Sequence, residues 1–148
     1  MCLGRAACRF PFLQRRRFLC YTKKGYPEKR SIYDALSLGF GAQLRENAAL
    51  RQSFFSLAEQ IFGISFAEWH RGGYWQQSYL PYALVEGEEV VANVSVNTME
   101  FLRFGERKRY VQLGTVMTAP EHRGKGLARS LMEAVLDDWG RTCDGVYL

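Results

Sequence analysis

The residues that carry the most chemical information in this chain are Gly124, Lys125, Gly126, Leu127, Ala128 and Arg129. Glycine has no Cβ, so at 124 and 126 the backbone can turn tightly and come close to a ligand. From Leu127 onward the apolar residues Leu127, Leu131 and Val135 recur at helical spacing, flanked by Ala128 and Trp139. The first N–H groups of a helix have no partner inside it. With Lys125 and Arg129 beside them, they suit an anionic group such as a pyrophosphate. Two other phosphate loops are excluded. A Walker loop needs Ser or Thr after Gly-Lys, and here Gly126 is followed by Leu127. A dinucleotide fingerprint needs a third glycine at 129, which is Arg.

The neighbouring elements must position that loop. Before it, Leu113, Thr115 and Met117 alternate with Gln112, Gly114 and Val116, the two-residue period of a pleated strand. Pro120 has no N–H to give a ladder and ends that strand. The order is therefore strand, short loop, then a helix over 124–139 stopped by Gly140.

This stretch resembles the coenzyme A signature of the GNAT acyl-CoA N-acyltransferases, which is Gln/Arg-x-x-Gly-x-Gly/Ala. Arg123, Gly126 and Ala128 match its three constrained positions, and Pro120 precedes the Arg by three residues. The resemblance covers about residues 35–148. It implies an α/β fold (an α+β mixed sheet), with fourth and fifth strands that run parallel and splay to admit the coenzyme. It also implies acetyl-CoA as acetyl donor, with no metal, and direct transfer to a primary amine on a small molecule or peptide. Backbone groups of Val116, Met117 and Thr118 match those that pair with the pantetheine arm, with the Met117 N–H polarising the thioester carbonyl. Arg123, Gly124, Lys125, Gly126, Leu127, Ala128 and Arg129 match the pyrophosphate loop.

The rest of the chain follows the order of that fold. A short strand is expected around 35–40, closed by a glycine turn. Leu50, Phe54, Leu57, Ala58 and Ile61 mark a helix over 43–62, stopped by Gly63. Ser65 and Glu68 have the spacing of a capping box for a second short helix, ended by Gly72-Gly73. Strands at 79–85, 90–97 and 108–117, joined by glycine turns, form an antiparallel meander. In the second of them Ala92, Val94 and Val96 face one way and Val91, Asn93, Ser95 and Asn97 the other. Residues 145–148 open a new strand. Family members continue with a further helix and hairpin that supply the usual Tyr acid. On that comparison residues 31–148 read as a domain lacking its C-terminal part. The alternative to a working enzyme is thus an inactive or binding-only fragment.

No general base or acid is assigned. The fourth strand carries no carboxylate, and Glu100 and Glu106 lie outside it, the latter in a hairpin turn. His122 reads as exposed and non-catalytic. Cys143 sits beside Asp144, the wrong electrostatic sign for a reactive thiolate, and reads as a small filler. The stretch holding Trp69, His70, Tyr74, Trp75, Tyr79 and Tyr82 reads first as aromatics closing one end of the core. In the family it borders the acceptor site, where aromatic faces can bracket an amine.

Charge is unevenly placed. Residues 1–30 hold nine basic residues against Glu28 alone, so the basic character belongs to this segment and the remainder is mildly acidic. This segment reads as a disordered basic extension. A nucleic-acid reading would rest on it alone, and none is expected for the domain. No run of about 18 apolar residues is present to span a membrane. Four scattered cysteines and two histidines lack paired metal spacing and suit a reducing, cytoplasmic setting. A homodimer is left open.

Overall fold

The computed structural model describes residues 36–148, with side chains from Leu44 onward. The basic extension expected at 1–30 lies outside the described residues. Five strands form one mixed sheet in the order β1 (Leu36–Phe40), β2 (Tyr79–Glu86), β3 (Glu89–Arg103), β4 (Glu106–Thr118) and β5 (Gly145–Tyr147). The first four pair antiparallel and β5 runs parallel to β4. Two tight turns close the central hairpins. At the second, Phe104 and Gly105 both have positive φ, the pair of conformations a two-residue hairpin requires.

The helical segment expected over 43–62 is two helices, α1 (Gly41–Glu46) and α2 (Ala48–Phe62). The break is at Asn47, whose side chain accepts hydrogen bonds from the amides of Ala49 and Leu50. An Asn oxygen satisfies the free donors of a helix start, so it opens a new helix and does not sit inside one. Gly63 closes α2 in the left-handed conformation. The short helix α3 (Phe66–Arg71) follows, but the expected capping box is absent: the Ser65 side chain makes no cap bond. The last helix, α4, runs Leu127–Trp139, so residues 124–126 form a loop ahead of it rather than its first turn.

The sheet is sandwiched. Leu44, Leu50, Phe54, Phe55, Leu57 and Ala58 from α1 and α2 pack with Phe66 and Trp75 on one face, over Tyr79, Ala83, Val85, Val90 and Met117. On the other face Leu127, Leu131 and Val135 of α4 pack over Tyr82, Leu84, Ala92, Val94, Val96, Val111 and Leu113. Burial of such side chains contributes about 1.5–3 kcal/mol each, so both layers hold the sheet that carries the loop.

Two register shifts correct the simple alternation. Val94 pairs with Val116 but Val96 with Leu113, so Gly114 and Thr115 together oppose Ser95. A bulge adds one residue and reverses which face the following side chains take. Leu113 therefore packs on the α4 side and Met117 on the α2 side, although both were expected on one face. The second shift lies between Leu84 and Val85, opposite Val91. Val91 consequently joins Ala92, Val94 and Val96 rather than Asn93 and Ser95.

Candidate functional site

β4 pairs with β5 only from Tyr110 to Gln112, against Gly145 to Tyr147. From Leu113 to Thr118 its described partner is β3 alone. In an antiparallel ladder the hydrogen-bonded and non-bonded pairs alternate along the strand. The Ala119 N–H donates to Val91 O at 2.8 Å. Ala92 and Asn93 lie opposite Thr118 and Met117. The alternation therefore turns the Met117 N–H inward to Asn93, and those of Val116 and Thr118 away from β3, to the side on which β5 pairs. Consistent with this, Thr118 O accepts a hydrogen bond from Arg123 Nε at 3.3 Å. The Met117 N–H, which the resemblance assigns to the thioester carbonyl, is thus directed toward Asn93.

Beyond β4, a short 3-10 turn at Pro120–His122 leads to Arg123 in extended conformation. Gly124 and Gly126 follow with φ of +74° and +80°, a region that costs an L side chain about 1–2 kcal/mol. A Cβ built on either would meet no atom within 4 Å, so the loop surface is open there. Leu127 is 1% exposed and anchors the start of α4 in the core, while Arg123, Lys125 and Arg129 are exposed and Ala128 is half-buried. Ser130 is the first residue of this segment whose amide is bonded, to Gly126 O at 3.1 Å. Among the described residues the amides of Gly124, Lys125, Gly126, Leu127, Ala128 and Arg129 have no acceptor. Of the ten residues singled out from the sequence, Thr118 and Arg123 are joined by the hydrogen bond from Arg123 Nε to Thr118 O, and 124–129 form the loop and the first turn of α4.

His122 departs from the sequence reading. Its side chain is only 12% exposed, and its Nε2 lies 3.5 Å from the Glu86 carboxylate. Its Nδ1 lies 3.4 Å from Lys125 Nζ. It pins the loop to the end of β2, a contact between residues 36 apart in sequence that no local pattern marks.

A buried polar network underlies the bulge. Asn93 and Ser95 are fully buried. Asn93 Nδ2 donates to Thr115 O and to Ser95 Oγ, both at 2.9 Å. Ser95 Oγ shares a 2.7 Å hydrogen bond with the Tyr79 hydroxyl. Asn93 Oδ1 is buried with no partner among the described residues. Burial pushes the Tyr79 phenol above its usual range, while its bonds with Ser95 and Thr115 pull the other way. The network thus ties Asn93, Ser95 and Tyr79 to the Thr115 carbonyl within the bulge. Sequence reading placed Asn93 and Ser95 on one face but gave them no role. Two polar residues inside an apolar strand were the available signal.

Above the network lies a cleft of ≈ 320 Å³ lined by Ile64, Phe66, Trp69, Tyr79, Asn97 and Gly114. Trp69 meets Tyr79 edge-on at 5.0 Å and Phe66 at 5.4 Å. Trp75 packs deeper, against Phe54, Phe55 and Tyr79. Most of the aromatic stretch is core, as expected, and Tyr74 is exposed. Glu100 pairs with Arg109 and Glu106 with Lys108, and neither lines this cleft; Glu106, expected in the turn, is the first residue of β4. The Cys143 thiol donates to Trp139 O and packs against the α4 core.

The model of the acetyltransferase (GNAT) domain family matches residues 31–145. Solved structures with the same fold include a ribosomal-protein-alanine N-acetyltransferase from Brucella melitensis, 19% identical, covering 77% of this chain and 79% of that one at a TM-score of 0.56. Glucosamine-6-phosphate N-acetyltransferase from Arabidopsis thaliana is 17% identical, covering 74% and 80%, with a TM-score of 0.52. An aminoglycoside acetyltransferase from an uncultured soil metagenomic sample is 17% identical, covering 76% and 78%, with a TM-score of 0.57. No curated protein matches the chain.

Proposed function

Since the chain belongs to the GNAT acetyltransferase family, we propose that it is an acetyl-CoA-dependent N-acetyltransferase acting directly on a primary amine. The observation that carries this reading is the set of amides at 124–129 that have no acceptor among the described residues, beside the exposed Arg123, Lys125 and Arg129. A pyrophosphate fits there, because fixed N–H donors and a helix start favour negative charge, and no Cβ intrudes at 124 or 126.

Acetyl-CoA would supply an activated thioester, and the chain's own residues would bind and orient it. The outward backbone groups of Val116 and Thr118 extend along β4 as an added strand would need. The Val116 N–H serves as the fixed donor toward the carbonyl oxygen as it gains charge. In the transfer the neutral amine nitrogen would bond to the carbonyl carbon, the carbon–sulfur bond would break with coenzyme A leaving as its thiolate, and the proton lost by the amine would convert that thiolate to the free thiol. Residues 113–118 of β4 carry no carboxylate to relay that proton, so it would pass through solvent, and the acceptor must arrive as the neutral amine. The cleft over the bulge is where the acceptor would sit, because Gly114 lines it two residues before Val116.

The test is calorimetric titration with acetyl-CoA, followed by thiol release in the presence of a panel of amines. Binding with amine-dependent release is expected. Binding without release for any amine would favour the binding-only reading, and absence of binding would remove the proposal.

A further inference from the structure

Resting on the transferase reading above, we infer that the acceptor is a monoamine carried on a flat apolar body, rather than a polyhydroxylated or phosphorylated amine. The cleft that borders the β4 bulge has the rings of Phe66, Trp69 and Tyr79 and the side chain of Ile64 as its walls. None of its six lining residues is charged. Its side-chain polar groups are the Trp69 indole N–H, the Asn97 amide and the Tyr79 hydroxyl, and the last is held by Ser95 at 2.7 Å.

Chemistry follows from that lining. A sugar phosphate would lose water from its anion with no cation in the wall to replace it. An aminoglycoside would bring several ammonium groups to a wall without a carboxylate. A polar group buried without a partner costs about 1–3 kcal/mol, so each hydroxyl or charge stripped of water here weakens binding. An aromatic or aliphatic body instead gains area against the rings. A single ammonium at its end finds aromatic faces, which attract cations. The walls are also fixed. Phe66 and Tyr79 are less than a tenth exposed, and the edge contacts of Trp69 with both hold its ring in place. The cleft is thus shaped before the ligand arrives, and little ordering entropy is lost on binding.

The experiment titrates the full chain calorimetrically with phenethylamine, glucosamine 6-phosphate and an aminoglycoside, and separately with acetyl-CoA. The wild type and Ile64→Lys are compared. Ile64 is 48% exposed, so the variant keeps the core while placing a cation at the mouth. Phenethylamine should bind at least about tenfold more tightly than either polar amine. Ile64→Lys should remove most of that preference. Polar amines binding as well as phenethylamine, no binding of phenethylamine, or an unchanged preference in Ile64→Lys would each overturn the inference. If phenethylamine binds and acetyl-CoA does not, the transferase reading falls while the ligand class of the cleft stands.

Discussion

At the scale of single residues, the proposed coenzyme site would depend on backbone rather than on side chains. Gly126→Asp would force a Cβ into a positive-φ position and set a carboxylate at the start of α4. That carboxylate would occupy the same free amides and repel a pyrophosphate there. It should weaken acetyl-CoA at least about tenfold, measured by calorimetry. Affinity unchanged in this variant would argue against the loop as the coenzyme site. Val116→Pro removes an N–H that the ladder to β3 does not use. The chain should still fold, with turnover lowered about 100-fold or more if that N–H is the oxyanion donor. Turnover equal to wild type would return that role to another amide. The buried network offers a stability test. Ser95→Ala withdraws a partner from both Asn93 and Tyr79. It should cost about 1–3 kcal/mol in denaturant unfolding, more than an exposed Ser→Ala elsewhere.

At the scale of elements, helix starts are where local pattern and structure part company. Ser65 and Glu68 have capping-box spacing, yet the Ser65 side chain makes no cap bond. Asn47, read as the interior of a longer helix, caps α2 through two amides. Asn47→Ala should therefore destabilise by about 1 kcal/mol and Ser65→Ala by much less, compared by thermal or denaturant melts. Equal losses would mean that the cap at 47 contributes nothing. Both sites allow the same side-chain chemistry. The backbone is extended at both, with φ −86° and ψ 113° at Asn47 and φ −81° and ψ 90° at Ser65, so the difference lies in the side-chain bond alone. The strand character of β4 is plain from alternation, but the bulge at Gly114 and Thr115 is set by pairing with β3, which a single strand's sequence does not contain.

At the scale of the whole molecule, α4 is bound to the sheet by a polar contact as well as by its apolar face. The Tyr82 hydroxyl donates to Asp138 Oδ2 at 3.1 Å and accepts from Trp139 Nε1 at 3.0 Å. Burial, above all, pushes the Tyr82 phenol up from 10.0 to about 12. The folded state thus holds this proton more tightly than the unfolded chain does. Its contribution is fully present below pH 10 and is lost as pH rises through about 12. Denaturant melts across that window should show a loss of up to about 2 kcal/mol in wild type that is missing in Tyr82→Phe. Parallel curves for the two proteins would refute the assignment. Asp144 works in the opposite direction. The Arg109 amide, and then Lys108, hold its carboxyl below the usual range. Whatever stability it adds at the entry to β5 is present above the ordinary carboxylate range and is lost as pH falls through its lowered value. Among the described residues no helix is long and apolar enough to cross a membrane.

What the sequence determined by itself was everything carried by short-range pattern. The spacing of Leu127, Leu131 and Val135 marks α4 because a helix repeats every three to four residues. Gly124 and Gly126 mark the loop because few other residues accept positive φ. Glycine turns separate the strands of the meander. Arg123, Gly126 and Ala128 carry the family. Tertiary structure alone decided which way those pieces face. The bulge at Gly114 and Thr115 sends Leu113 and Met117 to opposite layers, and ladder alternation turns the Val116 amide outward where Met117 had been expected. His122 meets Glu86, and Asn93 meets Thr115, across long stretches of chain. The physical reason is common to all of these. Period and turn chemistry act within a few residues, whereas register, burial and polar partners belong to pairs of strands brought together only when the sheet is packed between its helices.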